Sequence, residues 1–149
     1  MTLDFQGIYT TNKKQVSTTG IDEIAISTSE LSPETHEDLD FIFSPMVVAT
    51  WIQTNHLSRI QVYPTPEERE RDRDRDLLTN PPSDSTILLD AIFEDENELE
   101  LPIQIGKVWV NQDSPQTSNF YMKVTNLDGA SRIINSKLEL SIIGASDVT

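Results

Sequence analysis

Apolar and polar residues alternate most regularly in the last third of the chain. The stretches Asn119 to Asn126 and Arg132 to Ile143 place apolar side chains at every second position. Because successive side chains of a strand point to opposite faces, both stretches are predicted to be strands with one buried face. The apolar members are Phe120, Met122 and Val124 in the first and Leu138, Leu140 and Ile142 in the second. Asp128-Gly129 lies between the two stretches and predicts that they form a hairpin.

The same alternation occurs in three earlier stretches. Ile21 to Ser27 and Leu39 to Phe43 are predicted to be half-buried strands. Leu99 to Val110 alternates as well, with a shift of phase beside Gly106 that indicates a bulge or a sharp bend. Because Pro102 has no amide proton to donate to a neighbouring strand, we expect it at a sheet edge or an irregular point.

Residues 46–58 and 86–93 are each compatible with a strand or with a helix. Met46 to Thr54 and Ser58 to Tyr63 are rich in β-branched and aromatic residues, and Asn55-His56 between them favours a hairpin. The alternative is a helix that begins at Ser44-Pro45, since a proline is common at the first helical position. Thr86 to Phe93 fits a buried strand and a helical stripe equally well.

A charged segment separates the two halves of the β pattern. Thr65-Pro66-Glu67-Glu68 predicts the start of a helix, with Thr65 as the capping residue. From Arg69 to Asp76 the charge alternates in sign at every residue, and no apolar residue occurs before Leu77. A helix here would have nothing to bury, so we expect residues 65–85 to be a solvated insertion, either an exposed helix or a mobile loop.

Together these patterns predict eight or nine short strands in one domain. The expected fold class is all-β: an antiparallel β-sandwich or jelly-roll-like domain over residues 1–149, with an inserted charged loop or short helix. A chain of 149 residues is long enough for one hydrophobic core.

The charge changes which partners are expected. The formal net charge is −14, and no lysine or arginine occurs between Lys14 and Arg59 or between Arg75 and Lys107. Such a surface repels phosphate backbones, so direct binding to nucleic acid is not expected. Protein partners are expected instead; basic protein surfaces, divalent cations and neutral ligands are all compatible with the charge.

Cysteine is absent, which excludes disulfides, thiolate metal sites and cysteine nucleophiles. Met1 to Gly7 lacks the basic and apolar regions of a secretory signal, and no apolar stretch approaches the length of a membrane span. We therefore expect no membrane partner and a location in the cytoplasm or in a virion.

Candidate catalytic and metal-binding groups are sparse. His36 and His56 lie in unlike contexts without a second ligand or an orienting partner nearby in the sequence. Asp72 to Asp76 resembles the opening of a calcium loop but lacks its glycine and its later glutamate. Glu94 to Glu98 could offer oxygen ligands to calcium or could simply be solvated. No catalytic residue, cofactor or metal site is predicted, and the chain is not expected to be an enzyme.

The aromatic residues are the remaining candidates for a contact surface. Trp51, Trp109 and Tyr121 are the predicted interface residues, because amphipathic aromatic side chains are enriched in protein contacts. Trp109 alternates with Val108 and Val110, so it either fills the core or, if its face is exposed, anchors an interface.

The function expected from these observations is a non-enzymatic structural or assembly module. It would pack against copies of itself or against a larger scaffold, as capsid cement and tail-accessory proteins of virions do. Two alternatives are an acidic regulator that occupies a basic protein surface and a carbohydrate-binding module that uses the tryptophans.

Overall fold

The computed structural model describes residues 22–103 and 107–143. Within these ranges it contains nine strands and one helix, and all strand pairings are antiparallel. The elements are β1 (Asp22–Leu31), β2 (His36–Ile42), β3 (Met46–Thr54), β4 (Ser58–Tyr63), α1 (Pro66–Arg71), β5 (Leu89–Phe93), β6 (Glu100–Pro102), β7 (Val108–Val110), β8 (Asn119–Asn126) and β9 (Arg132–Ile142). Met1 to Gly7 and the bend expected at Gly106 lie outside the described residues.

The strands form two sheets that pack face to face. One sheet has five strands in the order β1-β9-β3-β6, with β7 also paired to β3. The other has four strands in the order β2-β8-β4-β5. This arrangement confirms the prediction of an all-β antiparallel sandwich.

Apolar side chains from the inner faces of both sheets fill the space between them. Trp109 of the five-stranded sheet and Phe120 of the four-stranded sheet are both fully buried, with ring centroids 6.1 Å apart. Phe41 lies 5.6 Å from Phe120 on the neighbouring strand. The alternation that predicted buried faces for Phe120, Met122 and Val124 is confirmed, since all three are buried.

The strand predictions for 46–54, 58–63, 119–126 and 132–143 are confirmed to within a residue, whereas both predicted hairpins are wrong. β3 belongs to the five-stranded sheet and β4 to the four-stranded sheet, and β8 and β9 are divided in the same way. Each short connection is therefore an arch that joins the two layers. An arch and a hairpin both turn the apolar faces of their strands toward one interior, so alternation cannot distinguish them.

In both sheets, the central strand pairs with strands from a distant part of the chain. β9 lies between β1 and β3, and β8 lies between β2 and β4. The arch formed by β8 and β9 is thus inserted between two arches from the N-terminal half.

The ambiguous segments are strands rather than helices. The helix considered for the stretch after Ser44-Pro45 is wrong, because Met46–Thr54 is strand β3. Residues 89–93 of the second ambiguous stretch form strand β5. Pro102 ends the short strand β6 at the edge of its sheet, as its missing amide proton predicted.

The predicted helix start is confirmed. The Thr65 hydroxyl accepts a hydrogen bond of 3.1 Å from the Glu68 amide, and Pro66 occupies the first helical position. α1 is six residues long and highly charged. No helix in the described ranges has the length or the apolar character needed to cross a membrane.

Residues 64–88, here called the cover segment, connect β4 to β5, which are neighbours in one sheet. This segment contacts the outer face of the four-stranded sheet. The inserted short helix is confirmed, but the segment after it is not solvated throughout, because the side chains of Asp72 and Arg75 are 9% and 7% exposed. They are buried against polar side chains of the sheet rather than against apolar ones.

Candidate functional site

The outer face of the four-stranded sheet is unusually rich in charged and polar side chains. Every residue of β4 is buried, so Arg59, Gln61 and Tyr63 are enclosed although they alternate with the core residues Ile60 and Val62. The cover segment accounts for this burial, because it lies over the face that would otherwise contact water.

Two arginines and two aspartates form a series of ion pairs that joins the sheet to the cover segment. Arg59 donates two hydrogen bonds of 2.9 Å to the two carboxylate oxygens of Asp90. Arg75 donates to both oxygens of Asp72, at 2.7 and 2.8 Å, and to Asp90 at 2.7 Å. The formal charges of the four side chains cancel, which is the condition for burying ions at tolerable cost.

The network holds both carboxylates in the charged form. Burial opposes ionisation of Asp72, but hydrogen bonds from Arg75 and Tyr63 outweigh burial and keep the pKa of Asp72 below its ordinary value. Burial also opposes ionisation of Asp90, and hydrogen bonds from Arg59 and Arg75 lower its pKa. Protonation of either carboxylate would therefore weaken the attachment of the cover segment.

Tyr63 and Lys123 extend this polar layer. The Tyr63 hydroxyl donates a 2.6 Å hydrogen bond to Asp72, and burial together with this bond raises the pKa of Tyr63. Lys123 Nζ donates a 2.6 Å hydrogen bond to the Arg73 carbonyl oxygen of the cover segment. Burial, and the nearby charge of Arg59, lower the pKa of Lys123.

Arg69, near the start of the cover segment, also binds to the four-stranded sheet. Its guanidinium lies 5.5 Å from the centre of the Tyr121 ring and donates a 2.7 Å hydrogen bond to Asp40. The Tyr121 hydroxyl donates in turn to Asp113. Tyr121, a predicted interface residue, is therefore buried beneath the chain's own arginine and is not available to a partner in this state.

Arg59, Asp72, Arg75 and Asp90 were not singled out as one site by the sequence patterns. Their signal in the sequence is one charged residue in each of two apolar strands, Arg59 in β4 and Asp90 in β5, on either side of a charged segment. The side chains donate, accept and balance charge among themselves, and their geometry is that of an attachment between segments.

The outer face of the five-stranded sheet has a different character. Pairing of β3 with β7 brings apolar side chains of both strands together on this face, and the Ile143 amide, just after β9, donates a 3.2 Å hydrogen bond to the Met46 carbonyl oxygen. Six apolar residues are grouped here. This set, here called the apolar patch, comprises Met46, Val48, Trp51, Val108, Val110 and Ile143. Met46, Val108 and Ile143 are 39%, 40% and 36% exposed, and the other three are partly exposed.

The two tryptophans lie on opposite faces of the five-stranded sheet. Trp109 is fully buried in the core, so the structure assigns it core filling rather than a surface contact. Trp51 is half-buried on the outer face, between Pro102 of β6 and Glu139 of β9. Of the three predicted interface residues, Trp51 alone lies on an open surface.

Most basic side chains of the described ranges are engaged within the chain. Lys107 donates to the Leu88 carbonyl oxygen and Arg132 to Asp128, in addition to the arginines and the lysine of the polar layer. Within residues 22–103 and 107–143, Lys137 is the one lysine or arginine without a hydrogen bond or ion pair to another described residue, whether to its side chain or to its backbone. It lies on the outer face of the five-stranded sheet, beside the apolar patch.

Other candidate sites from the sequence remain dispersed. His36 is exposed and His56 is half-buried, in separate elements. Residues 94–98 are exposed between β5 and β6, and no group of three or more acidic or histidine side chains in the described part of the chain converges as a metal ion would require. A shallow groove of about 150 Å³ lies over the polar end of β1, β3 and β9, with Ser27 and Asn135 among its lining residues.

Comparison of the chain with family models, with curated proteins and with solved structures finds no match. The two outer faces therefore provide the observations on which a functional proposal can rest.

Proposed function

We propose that the chain is a non-enzymatic assembly module that joins a larger homo- or hetero-oligomer through its apolar patch. The observation that carries this proposal is the contiguity of the patch. Single exposed apolar residues are common on protein surfaces, but a group on adjacent strands is typical of a contact surface.

The charge distribution also favours the apolar patch as the contact surface. The chain has 25 acidic and 11 basic residues, so most of its surface repels another acidic protein. The apolar patch itself contains no charged residue. A partner that docks there buries mainly apolar area, and Glu139, beside Trp51 on β9, is an acidic side chain at its border.

The outer face of the four-stranded sheet is not open to a partner in the same way. The cover segment already occupies the outer face of the four-stranded sheet and satisfies its charged groups. That leaves the five-stranded sheet as the broad face without a covering element in the described part of the chain. A capsid-cement or tail-accessory role in a virion is one form that such a module would take.

Site-specific photocrosslinking tests the proposal in cells that produce the full chain. A photoreactive amino acid at Met46 should form adducts with the partner, and these adducts should disappear when Trp51→Lys is added. The matched control carries the same photoreactive group at Glu96, an exposed position between β5 and β6.

Adducts at Met46 that depend on Trp51 and are absent at Glu96 would support an assembly surface. Equal labelling at both positions, or no labelling at Met46, would contradict it.

A second candidate is the acidic regulator of a basic surface, favoured by the engagement of the described basic side chains inside the chain. Exposed acidic residues between β5 and β6 would then contact the partner, and binding would weaken steeply with salt. A labelled deca-lysine peptide is the probe. Neutralising the loop by Glu94→Gln, Glu96→Gln and Glu98→Gln should weaken binding far more than neutralising Glu23, Glu30 and Glu34; equal losses would exclude a specific site.

The carbohydrate-binding alternative loses support, because it relied on both tryptophans. Trp109 is fully buried, so it cannot stack on a sugar ring in this structure. Trp51 alone offers a single aromatic platform.

A further inference from the structure

We infer that the occupant of the apolar patch is a second copy of this chain, packed face to face about a two-fold axis that runs along β3. This inference rests on the proposed function and adds the identity and the orientation of the partner. The strand register of the five-stranded sheet supplies the argument.

The register places β3 between β9 on one side and β6 and β7 on the other, with β1 beyond β9. Val48 is flanked by Ser141 and Val108, and Met46 is flanked by Val110 on the β7 side. A two-fold axis parallel to β3 brings the β9 side of one copy over the β6 and β7 side of its partner. The apolar residues of β3 then meet their own counterparts at the centre.

The two charged residues that flank Gln53 are complementary under this operation. Gln53 of β3 pairs with Lys137 of β9 on one side and with Glu100 of β6 on the other. The two-fold axis therefore places Lys137 of each copy opposite Glu100 of the other, and the contact is formed twice. Both side chains are exposed, and neither forms an ion pair with another described residue of its own chain.

The area of the outer face indicates the expected affinity of the dimer. Three strand positions overlap under this operation, namely β9, β3 and the edge formed by β6 and β7, because β1 lies beyond β9 without a counterpart on the other side. At about 4.8 Å between strands and about 3.4 Å per residue over nine residues, they cover roughly 440 Å² per copy. Two such faces bury roughly 900 Å², which is the size of a weak protein interface. A dimer of micromolar rather than nanomolar affinity follows, particularly since each copy is strongly acidic.

Charge exchange between Lys137 and Glu100 tests the geometry. In the Lys137→Glu variant the two contacts become pairs of glutamates, and in Glu100→Lys they become pairs of lysines, so each variant should dimerise several-fold more weakly than the wild type. In a mixed dimer of the two variants both contacts again join opposite charges. Mixing them should therefore restore dimers, detected by native mass spectrometry with an affinity tag on one variant.

Glu96→Lys is the matched control, because it changes the net charge as Glu100→Lys does but lies in the exposed loop between β5 and β6. Reducing the net negative charge should slightly favour association, so the control should dimerise at least as well as the wild type. Weaker association of Glu100→Lys would then reflect its position. Circular dichroism establishes that all variants are folded.

The inference is overturned if the wild-type chain sediments as a monomer at high micromolar concentration, if Glu100→Lys behaves like Glu96→Lys, or if mixed variants do not associate. The proposed function survives that result if crosslinking from Met46 captures a different protein in a Trp51-dependent manner. Absence of any adduct at Met46 would remove both.

Discussion

The two outer faces of the sandwich differ in their side chains and in whether another part of the chain covers them. The four-stranded sheet presents charged side chains, and the chain covers them with its own residues 64–88. The five-stranded sheet presents apolar side chains around Trp51, and the described part of the chain leaves them open. The comparison shows that alternation of polar and apolar residues does not reveal which outer face of a sandwich is covered.

The largest expected change in stability comes from comparing tryptophans on the two faces of the five-stranded sheet. Trp109→Ala removes a fully buried ring from the core and should lower the free energy of unfolding by about 3–5 kcal/mol. Trp51→Ala on the outer face should cost less, about 1–2 kcal/mol, since that ring is only partly buried. Urea denaturation followed by circular dichroism measures both, and equal losses would mean that the two faces are not distinct.

The next effect tests the attachment of the cover segment. Arg75→Ala leaves Asp72 and Asp90 buried with fewer partners and should destabilise the fold by about 3 kcal/mol. Arg73→Ala, two residues away, removes an exposed pair with Glu70 and should change stability by less than about 0.5 kcal/mol. Chemical denaturation compares the two, and a similar small change for both would show that the network does not hold the segment.

Acid should weaken the covered face before the core. The pKa values of Asp72 and Asp90 are lower in the folded chain than in the unfolded chain, so their contribution is present above the ordinary aspartate pKa of about 4. It is lost as the pH falls through their folded values. Unfolding free energy should therefore decrease below about pH 4, and less steeply in the Asp72→Asn, Asp90→Asn double variant; identical slopes would argue against charged, bonded carboxylates.

The smallest effect concerns Tyr63 at alkaline pH. Because its pKa is raised by folding, its contribution is complete below the ordinary tyrosine value of about 10 and is lost as the pH rises further. Burial raises the pKa of Tyr121 as well, so the tyrosinate absorbance of both residues should appear late in the folded chain. Tyr63→Phe should reduce that late step by one residue and cost about 1 kcal/mol at neutral pH, through loss of the hydrogen bond to Asp72.

The sequence predicted most of the strands and the strand faces that line the core. It left residues 86–93 undecided between strand and helix, however, and did not predict the burial of both faces of β4. Phe120, Met122 and Val124 alternate because one interior buries them, and that signal is local. Which strand pairs with which is a non-local property. The turn at Asp128-Gly129 is compatible with a hairpin and with an arch, and the choice depends on β1 and β3 lying on either side of β9.

The covered face was predictable only in part. The Thr65 cap is a local signal and was identified correctly. The burial of Arg75 was not, because a run of alternating charges contains no apolar residue that would indicate an interior. Its partner Asp90 lies 15 positions later on another element, so the pairing becomes visible only after the chain has folded.

Hydroxyl-radical footprinting of the dilute, monomeric chain tests the contrast between the two outer faces most directly. We expect rapid oxidation of Met46 and measurable oxidation of Trp51, with Tyr63 and Tyr121 protected beneath the cover segment. Rapid oxidation of both tyrosines, or protection of Met46 and Trp51 in the monomer, would contradict the account of one closed and one open face.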